Sequence, residues 1–260
     1  MAIDPVAAAG FSRAAEVYER ARPSYPLEAV DWMVAQTGLG PGTTVADVGA
    51  GTGKLTRLLG ASGARVVAVE PIAEMRALID GADEVLDGTA ENLPLAEGAA
   101  DVITVAQAFH WFDLERALPE LHRVIAPGGS LVLFWNMRDL ENPLQRGVED
   151  LLRPLRGYVV GQQEGHWRGP LAESGLFGEP MTGNFSFEQR FTTEDLCDRV
   201  ASTSFVAAMD ADEREELLAR VRALAHDLAE PFPFPYLTEV LVIPRSSDRG
   251  NFERGTSSEG

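Results

Sequence analysis

Only one of the 260 residues is a cysteine, Cys197, and only one is a lysine, Lys54. A single thiol excludes an internal disulfide and a cysteine-built metal cluster, so the expectation is a cytoplasmic protein that needs no metal. Basic residues are scarce altogether, 22 against 40 acidic ones, for a net charge of −18. Nucleic-acid binding rests on lysine and arginine contacts to phosphate, so this balance points away from nucleic acid and towards a small-molecule partner. There is no apolar run of the roughly eighteen residues that a membrane helix needs, and a membrane partner is not expected. The opening Met1-Ala2-Ile3-Asp4-Pro5 lacks the basic and apolar regions of a signal peptide. No repeat or heptad pattern runs along the chain, and no oligomeric state is legible in it.

Against these absences stands one dense motif. Val45-Ala46-Asp47-Val48-Gly49-Ala50-Gly51-Thr52-Gly53-Lys54-Leu55 is followed, nineteen residues after Gly51, by Glu70 at the end of Val66-Val67-Ala68-Val69-Glu70. The pattern reads as strand, glycine turn, helix, and a second strand closed by a carboxylate. Such a turn lets backbone N–H groups approach a ligand, and the positive end of the next helix favours an anionic group. A carboxylate at Glu70 is placed to accept both hydroxyls of a ribose, which implies a nucleoside-bearing cofactor.

The glycine spacing narrows the choice. It is G-x-G-x-G, with Lys54 where the dinucleotide fingerprint wants its last glycine, and a phosphate loop fails because Val48 and Leu55 occupy its first and last positions. Asp47 would repel a pyrophosphate yet can hold an ammonium group. This combination suits S-adenosylmethionine. A nicotinamide oxidoreductase is disfavoured further because Lys54 alone cannot build a Tyr-x-x-x-Lys pair.

At this point the chain resembles the class I S-adenosylmethionine-dependent methyltransferases and, in the run Ala106 to Asp113, a small-molecule, trans-aconitate methyltransferase-like subgroup of them. Asp47 to Gly53 looks like their first motif, and Val66 to Pro71 with Met75 looks like the second strand and adenosine shelf. Asp87-Gly88-Thr89-Ala90-Glu91-Asn92-Leu93-Pro94 resembles the adenine-edge loop, Ala100 to Gln107 the fourth strand, and Pro127-Gly128-Gly129 the turn into a fifth strand over Ser130 to Trp135. The resemblance implies an α/β fold, a Rossmann-like, doubly wound, seven-stranded mixed sheet with an N-terminal helical lid and a helical insert near the C-terminal strands. It implies S-adenosyl-L-methionine as cofactor, S-adenosyl-L-homocysteine as product, and transfer to a small molecule.

One domain over 1–245 is expected: helices or lid in 1–37, a cofactor core in 43–136, a substrate-side insert in 137–230, a closing strand in 231–245, and a disordered tail in 246–260. A helix over Phe11 to Pro26 carries Tyr18 and Arg22, and its run resembles the segment that covers the cofactor; the plain alternative is a helix packed on the sheet edge. A second helix, Leu27 to Thr37, stops at Gly38. Asp113 is placed to cap a helix over Leu114 to Ile125. Two short helical patterns fall between Asn136 and Met181, a strand over Thr182 to Phe191, two helices over Thr192 to Asp227, and the last strand over Tyr236 to Arg245, antiparallel beside the sixth.

By the resemblance, Glu70 and Pro71 meet the ribose, Met75 the adenosine, and Thr89, Ala90 and Glu91 the adenine edge. Asp47, Gly49, Ala50, Gly51, Gln107, Tyr18 and Arg22 meet the methionyl end. Ala106-Gln107-Ala108-Phe109-His110-Trp111-Phe112-Asp113 places aromatic faces beside the methyl position, where they favour a cation. His110 is a candidate base or a positioning group, since a carboxylate acceptor needs no base. Trp111, Trp135, Arg138 and Trp167 are acceptor-side candidates; Arg138 is a possible bidentate clamp or a surface arginine paired with Asp139. The expected reaction is in-line methyl transfer, to oxygen of a carboxylate or hydroxyl, without a metal. The alternatives are a cofactor-assisted cyclase or rearrangement on the same fold, and a nucleotide-binding regulatory protein with a degenerate site.

Overall fold

A computed structural model describes residue 19 and residues 21–155 and 165–247. Tyr18, most of the expected 11–26 helix and the expected tail beyond 247 lie outside the described residues.

Seven strands form one sheet: β1 (Thr44–Val48), β2 (Arg65–Val69), β3 (Glu84–Leu86), β4 (Ala100–Ala106), β5 (Ile125–Arg138), β6 (Met181–Phe191) and β7 (Phe232–Pro244). Their order is β3-β2-β1-β4-β5-β7-β6. The first five pair in parallel, whereas β7 runs antiparallel between β5 and β6. This is the expected mixed, Rossmann-like sheet. β1 and β2 are near-continuous apolar runs because helices cover both faces of a parallel sheet. Strand order reverses between β1 and β4, which opens a crevice beyond their carboxyl ends.

The helices are α1 (Leu27–Thr37), α2 (Thr56–Leu59), α3 (Ala73–Arg76), α4 (Leu114–Val124), α5 (Pro143–Leu152), α6 (Arg168–Glu173), α7 (Thr193–Ala201), α8 (Ser204–Ala207) and α9 (Ala211–Ala225). α1 ends at Gly38, whose φ of 68° is left-handed, as its stop signal predicts. α4 follows Asp113 and stops one residue short of the expected end. Among the described residues no helix is long and apolar enough to cross a membrane.

Four expectations change. The helix after the glycine turn is only four residues long, so little dipole stands behind the turn. The fifth strand begins at Ile125: Ala100 pairs with Ile125 and Val102 with Ser130, so Pro127-Gly128-Gly129 is a bulge within β5 rather than a turn before it. Three helices, not two, follow β6, because a Thr192–Asp195 capping box starts α7 and Asp210 starts α9 afresh. β7 begins at Phe232, inside the expected 231–245 closing segment but four residues before the expected Tyr236 start, since Phe232, Phe234 and Tyr236 alternate inward with Pro233 and Pro235 between them. These aromatics join Leu196, Val200 and Val221 in a third core cluster, apart from the two on the faces of the sheet.

Candidate functional site

The glycine turn leaves β1 and lies against the end of β2. Glu70, 4% exposed, fixes it: the Gly51 N–H donates to Oε2 at 2.8 Å and the Ile72 N–H to Oε1 at 2.9 Å. Burial pushes the Glu70 carboxyl up, against the pull of those two donors. Gly49 has a φ of 68° and a Cβ there would stand 2.9 Å from the Ala108 Cβ, so only glycine fits. A Cβ on Gly51 would meet no atom within 4 Å, because that side of the turn is open to the crevice.

Two clefts join at the turn. The first encloses about 700 Å³, part of it open to solvent, and is lined by Gly49, Gly51, Glu70, Pro71, Ile72, Met75, Gly88, Thr89, Ala90, Glu91, Ala106, Gln107, Ala108, Trp111 and Phe112. The second, about 600 Å³, shares Gly49, Gly51, Ala106 and Gln107 and adds Ala50, Arg22, Tyr25, Lys54, Asn136 and Arg199. Gln107 stands between them as the one described non-glycine residue with positive φ, 57°. Such backbone costs roughly 1–3 kcal/mol and persists where the surroundings hold it. Here the Gln107 N–H donates to the Phe134 carbonyl at 3.0 Å, and Nε2 to the Asn136 carbonyl at 3.3 Å.

Asp47 requires a correction. Expected to hold an ammonium group directly, it is 1% exposed and lines neither cleft. Its oxygens accept from the Thr56 hydroxyl at 2.6 Å and the Thr104 hydroxyl at 2.9 Å. It therefore ties α2 and β4 to β1 beneath the turn. Burial pushes its carboxyl up to about 6, the two threonines opposing.

Three of the acceptor-side candidates are also corrected. Trp135 is 1% exposed and stacks on Trp167 with ring centroids 5.8 Å apart; Trp167 meets Phe109 edge-on at 5.6 Å. Both indoles are core, because β5 alternates and Trp135 points away from the Asn136 face. Arg138 pairs not with Asp139 but with Glu149, at 2.5 Å, and lines neither cleft. Trp111 alone of the four reaches a cleft.

At the N-terminal side, Glu19 ties the segment before Arg22 to the turn. Arg57 donates to Glu19 Oε1 at 2.5 Å, the Thr52 hydroxyl bonds Oε2, and Lys54 Nζ stands 3.5 Å from the carboxylate. Arg22 itself donates to the Ser202 carbonyl at 3.0 Å, beyond the end of α7.

His110 packs 4.6 Å from Trp111 and 5.5 Å from Trp135, ring to ring, and its Nδ1 is buried without a hydrogen-bond partner. Burial first, then the Arg22 charge, pushes its imidazole down to about 4. Asp47 and His110 then act oppositely on stability. The folded state binds more protons at Asp47 between its ordinary 3.8 and about 6, so that contribution falls as pH rises. The unfolded state binds more protons at His110 between about 4 and 6.5, so that contribution rises with pH. His110→Gln removes only the rising part. The stability of the wild type minus that of the variant, from urea unfolding, should therefore increase by about 3 kcal/mol from pH 4 to pH 7. A difference independent of pH would contradict a buried, neutral imidazole.

The sequence reading missed Ile72, Phe112 and Arg199 as lining residues, whereas Asn136, read as lying at the ligand edge after the fifth strand, does line the second cleft. Phe112 lay inside the singled-out aromatic run, and Ile72 is implied by its distance from Glu70. Nothing in the local sequence around Arg199 marks it.

Comparison with known proteins bears on this geometry. Residues 46–133, the stretch containing the turn and Glu70, match a family model described as a methyltransferase domain. An uncharacterized methyltransferase of Mycobacterium tuberculosis is 39% identical over 221 residues, covering 82% of this chain and 84% of that one. A malonyl-[acyl-carrier protein] O-methyltransferase of Pectobacterium atrosepticum is 36% identical over 136 residues, covering 51% of this chain and 53% of that one. Among solved structures, a protein of Anaeromyxobacter dehalogenans described as a type II methyltransferase shares the fold with a TM-score of 0.63 at 24% identity, over 86% of this chain and 97% of that one.

Proposed function

Because the chain belongs to the S-adenosylmethionine-dependent methyltransferases, we propose that its joined clefts serve methyl transfer to an oxygen of a small acid or hydroxyl compound. The observation that carries the site assignment is the pairing of Glu70 with Gly51. A buried carboxylate fixed by the backbone lies beside a turn whose next face is open. That cradle fits a nucleoside with an extended tail. When bound, the cofactor supplies a methyl group on a sulfonium sulfur, open to in-line attack.

In this reading Glu70 accepts the ribose hydroxyls through the lone pairs its two N–H partners leave free. Pro71 and Met75 pack on the adenosine, and Thr89, Ala90 and Glu91 meet the adenine edge. Gly49, Ala50, Gly51, Gln107 and Arg22 take the methionyl end, while Asp47 positions the turn through Thr56 and Thr104. Trp111 and Phe112 close the first cleft against water and keep reactants oriented.

The choice of oxygen draws support from His110. An imidazole pushed down to about 4 is a poor proton acceptor near neutral pH, so His110 positions, and a carboxylate that arrives already deprotonated suits the site. The matched O-methyltransferase acts on oxygen, which agrees. The test is incubation with methyl-labelled S-adenosylmethionine and a panel of small carboxylates, phenols and amines. Label in a base-labile ester is the expected result. Label on amines alone would overturn the oxygen assignment, and an acceptor changed without gaining label would favour a rearrangement.

A further inference from the structure

Arg199 projects from α7 into the second cleft in an arrangement that leaves it short of partners. Its Nε donates to the Tyr236 hydroxyl at 3.3 Å, and its Nη1 is buried with no hydrogen-bond partner. Arg199 is half-buried, and a buried guanidinium nitrogen left without an acceptor is costly, so an anion in the cleft would relieve it. The neighbouring Arg138 already has Glu149, and among the described residues no aspartate or glutamate lines this cleft, Glu19 meeting it only through Thr52 and Lys54, in a chain whose acidic residues outnumber basic ones 40 to 22. The cleft is therefore a local positive site on an acidic protein.

We infer that Arg199 binds a carboxylate of the methyl acceptor, so that the substrate is a small acid anchored at an anionic group remote from the atom that is methylated. This rests on the reading that the first cleft takes the cofactor. Two sources of carboxylate compete for the second cleft, the acceptor and the methionyl end of the cofactor. Arg22 lies on the segment that Glu19 ties to the glycine turn, which gives it to the cofactor side. Arg199 comes from α7 and is bonded to Tyr236 of β7, two strands from β4 and outside the β1–β2 unit that carries the glycine turn, which gives it to the acceptor even though the Arg22 side chain reaches the end of α7. A guanidinium gripping the attacking oxygen would withdraw its lone pairs, so the anchored carboxylate is a second group on the substrate. No carboxylate outside the cleft is needed for the anchor.

The experiment is calorimetric titration of the S-adenosylhomocysteine-saturated chain with succinate and with its neutral counterpart succinamide, for wild type, Arg199→Met and Arg199→Lys. Wild type should prefer succinate by about tenfold or more. Arg199→Met should abolish the preference and leave S-adenosylhomocysteine affinity within about threefold, whereas Arg199→Lys, which keeps the charge, should retain part of it. No preference in wild type, or a preference that survives Arg199→Met, would overturn the inference. So would a loss of S-adenosylhomocysteine affinity of about tenfold or more in Arg199→Met, since Arg199 would then serve the cofactor. Should S-adenosylhomocysteine not bind even to wild type, the cofactor reading fails on its own. The same succinate comparison on the ligand-free chain then decides the anion site.

Discussion

Glu70→Ala is expected to weaken S-adenosylhomocysteine binding about ten- to a hundredfold, because a hydrogen bond to a charged group contributes roughly 1.5–3 kcal/mol. Two effects combine. The ribose hydroxyls lose their acceptor, and the Gly51 and Ile72 N–H groups lose the carboxylate that fixes the turn. Glu70→Gln separates them poorly, since its amide must turn an NH2 group towards one of those two donors. It should lie between wild type and alanine. Calorimetry with S-adenosylhomocysteine reads both variants, and affinity unchanged in Glu70→Ala would remove Glu70 from the ligand site.

Trp135→Ala is expected to destabilise the fold by about 3–5 kcal/mol, the range for deleting a buried large aromatic side chain. Trp135 is 1% exposed, stacked on Trp167, and 5.5 Å from the His110 ring. Truncation therefore opens a cavity between two ring neighbours, Trp167 and His110, that cannot collapse together. The buried indole N–H has no hydrogen-bond partner, so its removal returns a little of that cost. Trp135→Phe should cost much less. Urea unfolding gives the stability, and calorimetry on the folded variant should find S-adenosylhomocysteine affinity close to wild type. Retained stability with lost affinity would return Trp135 to a ligand-contact role.

What could be read in the sequence was what is local in the chain. The glycine turn and Glu70 lie in adjoining strands of one βαβ unit, and α1 carries its own stop at Gly38, so spacing alone located them. The partners of Asp47 were not legible. Thr56 lies nine residues away and Thr104 fifty-seven, and only the folded sheet brings both hydroxyls to one carboxylate. Arg138 misled for a related reason: Asp139 is adjacent in sequence, but Glu149, eleven residues on, faces it from α5. Trp167 reads as a loop residue until Trp135 of β5 and Phe109 are seen to pack against it. Arg199 lies on an ordinary amphipathic helix, and its unmatched charge exists only because that helix packs beside the crevice. The positive φ of Gln107 likewise leaves no mark in the sequence, since glutamine is an unremarkable residue at a strand end.

Calorimetric titration of the purified wild-type chain with S-adenosylhomocysteine, with NAD as the control, tests the central claim most directly. Micromolar binding of S-adenosylhomocysteine with none of NAD is the expected result, because the G-x-G-x-G turn and Glu70 cradle a nucleoside without providing for a pyrophosphate. Binding of NAD, or of neither ligand, would contradict the assignment of the first cleft to the cofactor.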